Sequence, residues 1–207
     1  MNRKNCLTSL VFLLSCLIHA QEKKTYYFNE VSDRITSVEF KNGINYQFNL
    51  PRTVENDTAV FNLLIARQSY GQLNSEERKQ FFQLLEKTTN NKVDTSTTVI
   101  INFFHGGEGK SIKHHTRDRP YISKTRKIKE LTQFFITEKG YFYSHRKPPV
   151  FEDAYDIIRR LFFPIHFRGG NYLIIKPDGS FYRYYGEYPQ SEIIPKALST
   201  WKTTVKN

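Results

Sequence analysis

The chain has 207 residues, with 31 Lys and Arg against 20 Asp and Glu, a formal charge of +11, and two cysteines. A hydrophobic share of 39% excludes a multi-span membrane protein, and an aromatic share of 15% excludes wholesale disorder. The basic excess points to anionic surroundings or partners, and 13 Tyr and 17 Phe against one Met and one Trp predict a core built on aromatic rings.

Arg3 and Lys4 precede a mostly apolar stretch from Cys6 to Ile18, and polar chain begins at Gln21. This is the layout of a secretory signal peptide over residues 1–20, too short for a membrane span, with cleavage expected after Ala20. Export to the periplasm or the medium follows. The competing reading takes Leu13-Leu14-Ser15-Cys16 as a loose lipobox that would anchor a lipoprotein at Cys16; the apolar Leu17 and Ile18 that follow speak against it. Both cysteines fall inside the leader. Its removal leaves 29 basic against 20 acidic residues, a net charge of +9, and no disulfide, thiolate nucleophile or Cys-ligated metal.

Beyond the leader, Tyr26–Phe28, Val38–Phe40 and Ile44–Phe48 read as short strands, with Lys41-Asn42-Gly43 as a hairpin turn. Residues 58–66 read as a further strand. Asn74 with Glu77 three residues on is a capping box, and Phe81, Phe82, Leu84 and Leu85 form the buried stripe of the helix it opens. Val99–Phe104 is a near-continuous apolar run, as in a strand covered on both faces. Residues 105–120 read as a polar loop. A helix is expected over Ser123–Glu138, a strand at Tyr141–Tyr143, and a helix over Phe151–Phe163. Tyr172–Ile175 and Ser180–Tyr185 are strands joined by the turn Lys176-Pro177-Asp178-Gly179, and Ser191 opens a last helix. A seam is expected near residues 90–96. It separates an N-terminal β/α extension (21–96) from an α/β domain (97–207) with a central mixed sheet flanked by helices.

The order from residue 97 onward resembles the thioredoxin-like fold. Two stretches carry the resemblance: Val99-Ile100-Ile101-Asn102-Phe103-Phe104, similar to the strand before the family's redox motif, and Leu173-Ile174-Ile175-Lys176-Pro177-Asp178-Gly179-Ser180, similar to its closing hairpin. The resemblance covers about half the chain, and it is to exported, uncharacterised bacterial members of the family. It implies that the family's Cys-x-x-Cys falls on Glu108-Gly109-Lys110-Ser111 and its cis-proline on Gly170. Glu108, Ser111 and Gly170 therefore stand where the redox residues would be, and thiol–disulfide exchange is not expected.

His105-Gly106-Gly107-Glu108-Gly109-Lys110-Ser111 is not a P-loop, because Phe104 occupies the place of the first glycine. It is not an esterase signature either, because no Gly-x-Ser-x-Gly occurs. His105, His114 and His115, with Glu108 and Asp118, are the candidate metal ligands, but their spacing matches no zinc motif, and no metal or cofactor is expected. Residues 110–129 hold eight basic residues against Asp118 alone. Lys110, Lys113, Arg117 and Arg119 are the candidate contacts for an anionic partner, and Arg159, Arg160 and Arg168 are candidates to extend the patch. Tyr121 is the one aromatic in that stretch, so nucleic-acid stacking is not expected. Tyr182, Tyr184, Tyr185 and Tyr188 read as sheet packing, with a stacking surface as the alternative. The leading expectation is an exported, non-redox binding or accessory module of the cell envelope. The rival is a hydrolase-type or metal-assisted enzyme using His105, Glu108 and His114.

Overall fold

Apolar runs place most of the strands, and capped polar starts place the longer helices. The computed structural model describes residues 23–201, so the leader with Cys6 and Cys16 lies outside the described residues. The fold is mixed α/β, in two units that divide between Ala66 and Arg67.

The first unit is a four-stranded sheet, β1 (Lys24–Phe28), β2 (Arg34–Ile35), β3 (Asn49–Glu55) and β4 (Ala59–Ala66), in the order β2-β1-β4-β3. β1 and β4 run parallel; the other pairs are antiparallel. A short helix, α1 (Ser37–Gly43), replaces the strand and hairpin turn expected at 38–43. The Thr36 side chain accepts the Glu39 N–H, and the Glu39 carboxylate accepts the Thr36 N–H at 2.8 Å. This capping box satisfies the first-turn donors locally, and Phe40 then buries its ring against Tyr27 at 5.3 Å. Asn42-Gly43 becomes a helix end rather than a hairpin. Residues 44–48 lie outside any strand.

The second unit opens with β5 (Gln68–Gln72) and α2 (Ser75–Thr89), then β6 (Thr98–Phe104), α3 (Gly109–Arg117), α4 (Arg119–Lys127), β7 (Leu131–Thr137), β8 (Val150–Glu152), α5 (Ile157–Phe162), β9 (Asn171–Ile175), β10 (Ser180–Tyr185) and α6 (Ile193–Leu198). Its sheet has the order β5-β10-β9-β6-β7-β8, with β6, β7 and β8 parallel and the others antiparallel to their neighbours. Residues 67–96 belong to this unit because β5 hydrogen-bonds along β10.

β6 is buried along nearly its whole length, as its apolar run requires. Ile100 and Phe104, with Phe135, Tyr172, Ile174 and Tyr182, face Ile112, Tyr121 and Ile122 of α3 and α4 and Ile193, Ile194 and Ala197 of α6. On the other face Phe103 stacks on Phe163 at 5.3 Å, and Phe162 meets Phe81 of α2 at 5.6 Å and Phe181 at 5.1 Å. Removing one such ring leaves a cavity worth about 3–5 kcal/mol.

Four expectations change here. The helix expected over 123–138 is α4 followed by β7. Asp118 caps α4 by accepting the Tyr121 N–H, and Pro120 lies in the first turn, so the helix starts and ends earlier. Leu131 and Phe135 fit both helical and strand spacing; the free edge of β6 decides, pairing Thr98 with Leu131 through Phe104 with Thr137. Tyr141–Tyr143 forms no strand, and residues 151–163 divide into β8 and α5. Buried Asp153 accepts the N–H groups of Ile157, Ile158 and Arg159 at 3.0, 2.9 and 3.1 Å, which fixes the later start of α5. The loop expected at 105–120 folds mostly into α3, with His115 and Ile112 on its buried side.

Candidate functional site

Ligands of open α/β sheets bind beyond the carboxyl ends of the parallel strands. In this protein those ends carry four titratable groups. His105 follows β6, Glu138 follows β7, Glu108 precedes α3, and His166 lies between α5 and β9. His105 Nδ1 is 3.0 Å from Glu138 Oε2, and Glu138 Oε1 accepts the Gly106 N–H at 2.6 Å. The His105 and His166 rings stack at 4.4 Å, and His166 Nε2 lies 3.6 Å from Glu108 Oε1. Glu108 Oε2 accepts the Gly170 N–H at 2.7 Å. His105 Nε2 and Glu108 Oε1 are buried without a hydrogen-bond partner.

The backbone makes this possible at Gly169 and Gly170, with φ of +97° and +86°. Their left-handed conformation turns the Gly170 N–H towards Glu108. A Cβ on Gly170 would lie 3.0 Å from the Phe104 ring. Glu108 stands at the N-cap of α3 but makes no side-chain cap there; its carboxyl is spent on Gly170 instead.

Burial raises the Glu108 carboxyl to about 7, against the pull of nearby N–H groups, that of Gly170 first. Burial also lowers the His105 imidazole, only partly offset by Glu138. At Glu138 burial pushes upward, but the bonds from His105 and Gly106 outweigh it and the carboxyl ends below its ordinary value. The cluster therefore holds a carboxyl that exchanges its proton near neutrality, next to an imidazole biased to the neutral form.

Beside the cluster is a groove of about 520 Å³ lined by Lys110, Ser111, His114, His115, Gly169 and Glu187, with Tyr188 and Pro189. A second cleft, of about 750 Å³, lies along α3 and α4: Arg117, Arg119, Arg126, Lys127 and Lys147 line it, with His145 and without a carboxylate. The four basic candidates thus separate. Arg117 and Arg119 line the basic cleft, Lys110 lines the groove, and Lys113 is exposed and lines neither. Arg159 and Arg160 do not extend a free patch, because Asp156 binds both at 2.6 and 2.7 Å; their bonds hold its carboxyl down to about 2.

His105 and Glu108 share the cluster, whereas His114 lies in the groove with its ring 5.4 Å from that of His115. Among the described residues no three His, Asp or Glu side chains are grouped to hold a metal ion. Glu138 and His166 were not among the residues singled out from the sequence. Glu138 sat inside a supposed helix and His166 in a featureless loop; only the β6–β7 pairing and the return of the chain into β9 bring them together. Tyr182 and Tyr185 are buried in the packing of the sheet.

Fold and site together define an α/β protein with a buried Glu–His cluster at its strand ends and a separate basic cleft. No helix among the described residues is long and apolar enough to cross a membrane. Comparison with protein-family models, with curated proteins and with solved structures found no match to this chain.

Proposed function

We propose that this chain is an exported, non-redox, thioredoxin-like binding module of the cell envelope that holds a phosphate-bearing anionic partner in the cleft along α3 and α4. The observation that carries this reading is the lining of that cleft, which has five Lys and Arg and no acid among its residues. The sheet order β10-β9-β6-β7, with β6 and β7 parallel and β9 antiparallel to β6, supports the thioredoxin-like part. Glu108 and Ser111 at the redox positions support a non-redox role. Titrating the purified protein with inorganic polyphosphate, and with vesicles containing anionic or only zwitterionic lipid, tests the reading. Salt-sensitive binding to the anionic probes supports it; no binding to either anionic probe at low salt overturns it.

A second reading, an acid–base enzyme, is favoured by one observation: Glu108 and His105 each keep a buried, unpartnered atom in the same cluster. In that reading His105, oriented by Glu138, is the base and Glu108 the acid, and His114 has no part in the cluster.

A further inference from the structure

We propose that Glu108 and His166 form a proton-operated latch, which holds the 166–170 segment closed against the strand ends and thereby sets the width of the adjoining groove. The segment is fastened to the cluster at both ends. At one end the His166 ring stacks on His105 at 4.4 Å and brings its Nε2 to 3.6 Å from Glu108 Oε1. At the other, the Gly170 N–H donates to Glu108 Oε2 at 2.7 Å. One carboxyl group therefore meets both ends, by a hydrogen bond at Gly170 and by close approach at His166; it is 6% exposed, whereas His166 is exposed to solvent.

The charged and titratable groups around this carboxyl come from every neighbouring element. His166 faces it from the segment itself, and His105 follows β6. Glu138, at the end of β7, acts on it as a like charge, and Tyr188, after β10, presents a phenol. Arg159 of α5 acts electrostatically on His105 and Glu138. Lys110 and Ser111, just beyond Glu108 and Gly109, line the groove, as does Gly169. A movement of the segment is therefore a movement of one groove wall relative to the other.

With Glu108 protonated, Oε2 keeps the Gly170 N–H and the carboxyl lies uncharged beside His166. When that proton leaves to solvent, the anionic Oε1 lies in a buried site without a hydrogen-bond partner of its own. Burying that charge costs more than the Gly170 N–H returns, and opening the segment admits water to relieve it. Burial holds the carboxyl up at about 7, so the change falls near neutrality. The closed form is the low-pH form and rising pH opens it, because the group binds its proton more tightly in the closed state.

The test is amide hydrogen exchange of Gly170 in the purified protein, corrected for the intrinsic base-catalysed rate. Protection is expected to fall about tenfold from about pH 6 to about pH 8 in the unsubstituted protein, and to stay flat in Glu108→Gln, which mimics the neutral acid. His166→Phe keeps the stack but removes the nitrogen, so it is expected to move the midpoint. Flat protection in the unsubstituted protein, or the same fall in Glu108→Gln, overturns the latch. Should Glu108→Gln fail to fold, the unsubstituted protein decides: the fall in Gly170 protection is expected to share its midpoint with the carboxyl ¹³C shift of Glu108, and separate midpoints overturn the latch.

Discussion

Glu108 and Gly170, 62 residues apart in the chain, are joined by a hydrogen bond of 2.7 Å from the glycine N–H to the buried carboxyl. The bond ties the start of α3 to the entry of β9, and it uses a side chain that would otherwise cap the helix. Gly170 can make it only because its φ is +86°, a conformation that side chains of ordinary handedness rarely adopt.

Gly170→Ala is therefore expected to destabilise the second unit twice over, through its backbone conformation and through a Cβ pressed to 3.0 Å from Phe104. The combined loss should be about 2–4 kcal/mol. Gly107→Ala is the control, since its φ is also positive but no atom lies within 4 Å of its added Cβ. Its loss should be about 1 kcal/mol. Urea midpoints of the two variants check the difference; equal losses would contradict the packing argument.

Stability should fall as pH rises through the range set by Glu108. Its carboxyl is raised from 4.5 to about 7 in the folded protein, so the folded state binds more protons than the unfolded state between those values. The contribution is fully present below about 4.5 and is lost by about 7. Glu108→Gln should be the more stable protein at pH 8 by up to about 3 kcal/mol, with the difference shrinking on acidification. Denaturant titrations at several pH values measure it.

Asp156 carries the opposite sign. Its carboxyl is lowered to about 2 by Arg159 and Arg160, so its contribution is present at neutral pH and lost as the pH falls towards 2. Asp156→Asn suits the left-handed backbone there, φ +58°, and should cost about 1 kcal/mol at neutral pH because both arginines are solvent-accessible. The same titrations should show the loss vanish near pH 2.

For the basic cleft, Arg117→Ala with Arg119→Ala is expected to weaken polyphosphate binding at least about tenfold and to flatten its salt dependence. Lys113→Ala should change it less than about twofold, because Lys113 is exposed outside the cleft. Equal effects of the two changes would show that overall charge, and not the cleft, governs binding.

Asn74→Ala tests the capping of α2. Asn74 Oδ1 accepts the N–H groups of Glu76 and Glu77, and the Glu77 carboxylate returns to the Asn74 N–H at 2.8 Å. The loss should be about 1 kcal/mol by thermal or urea unfolding, with the binding of anionic probes unchanged.

By itself the sequence determined the elements whose signal is local. The capped helix opened by Asn74, the buried strand 98–104 and the hairpin 171–185 all follow from residues adjacent in the chain, because caps, apolar runs and Pro-Asp-Gly turns act over a few residues. Local signals misled where two periods fit the same residues, as at Leu131 and Phe135, or where a cap outweighed strand propensity, as at Thr36. Glu108 and Gly170 were legible as positions, but not as partners. Only the tertiary structure decided that β7 completes the sheet against β6, which carries Glu138 to His105, and that the chain entering β9 lays His166 on the same ring. It also decided that the basic residues of one stretch part between a groove and a cleft. The physical reason is common to all three. Strand pairing and helix rotation are fixed by contacts between residues far apart in sequence, whose free energy no single segment carries.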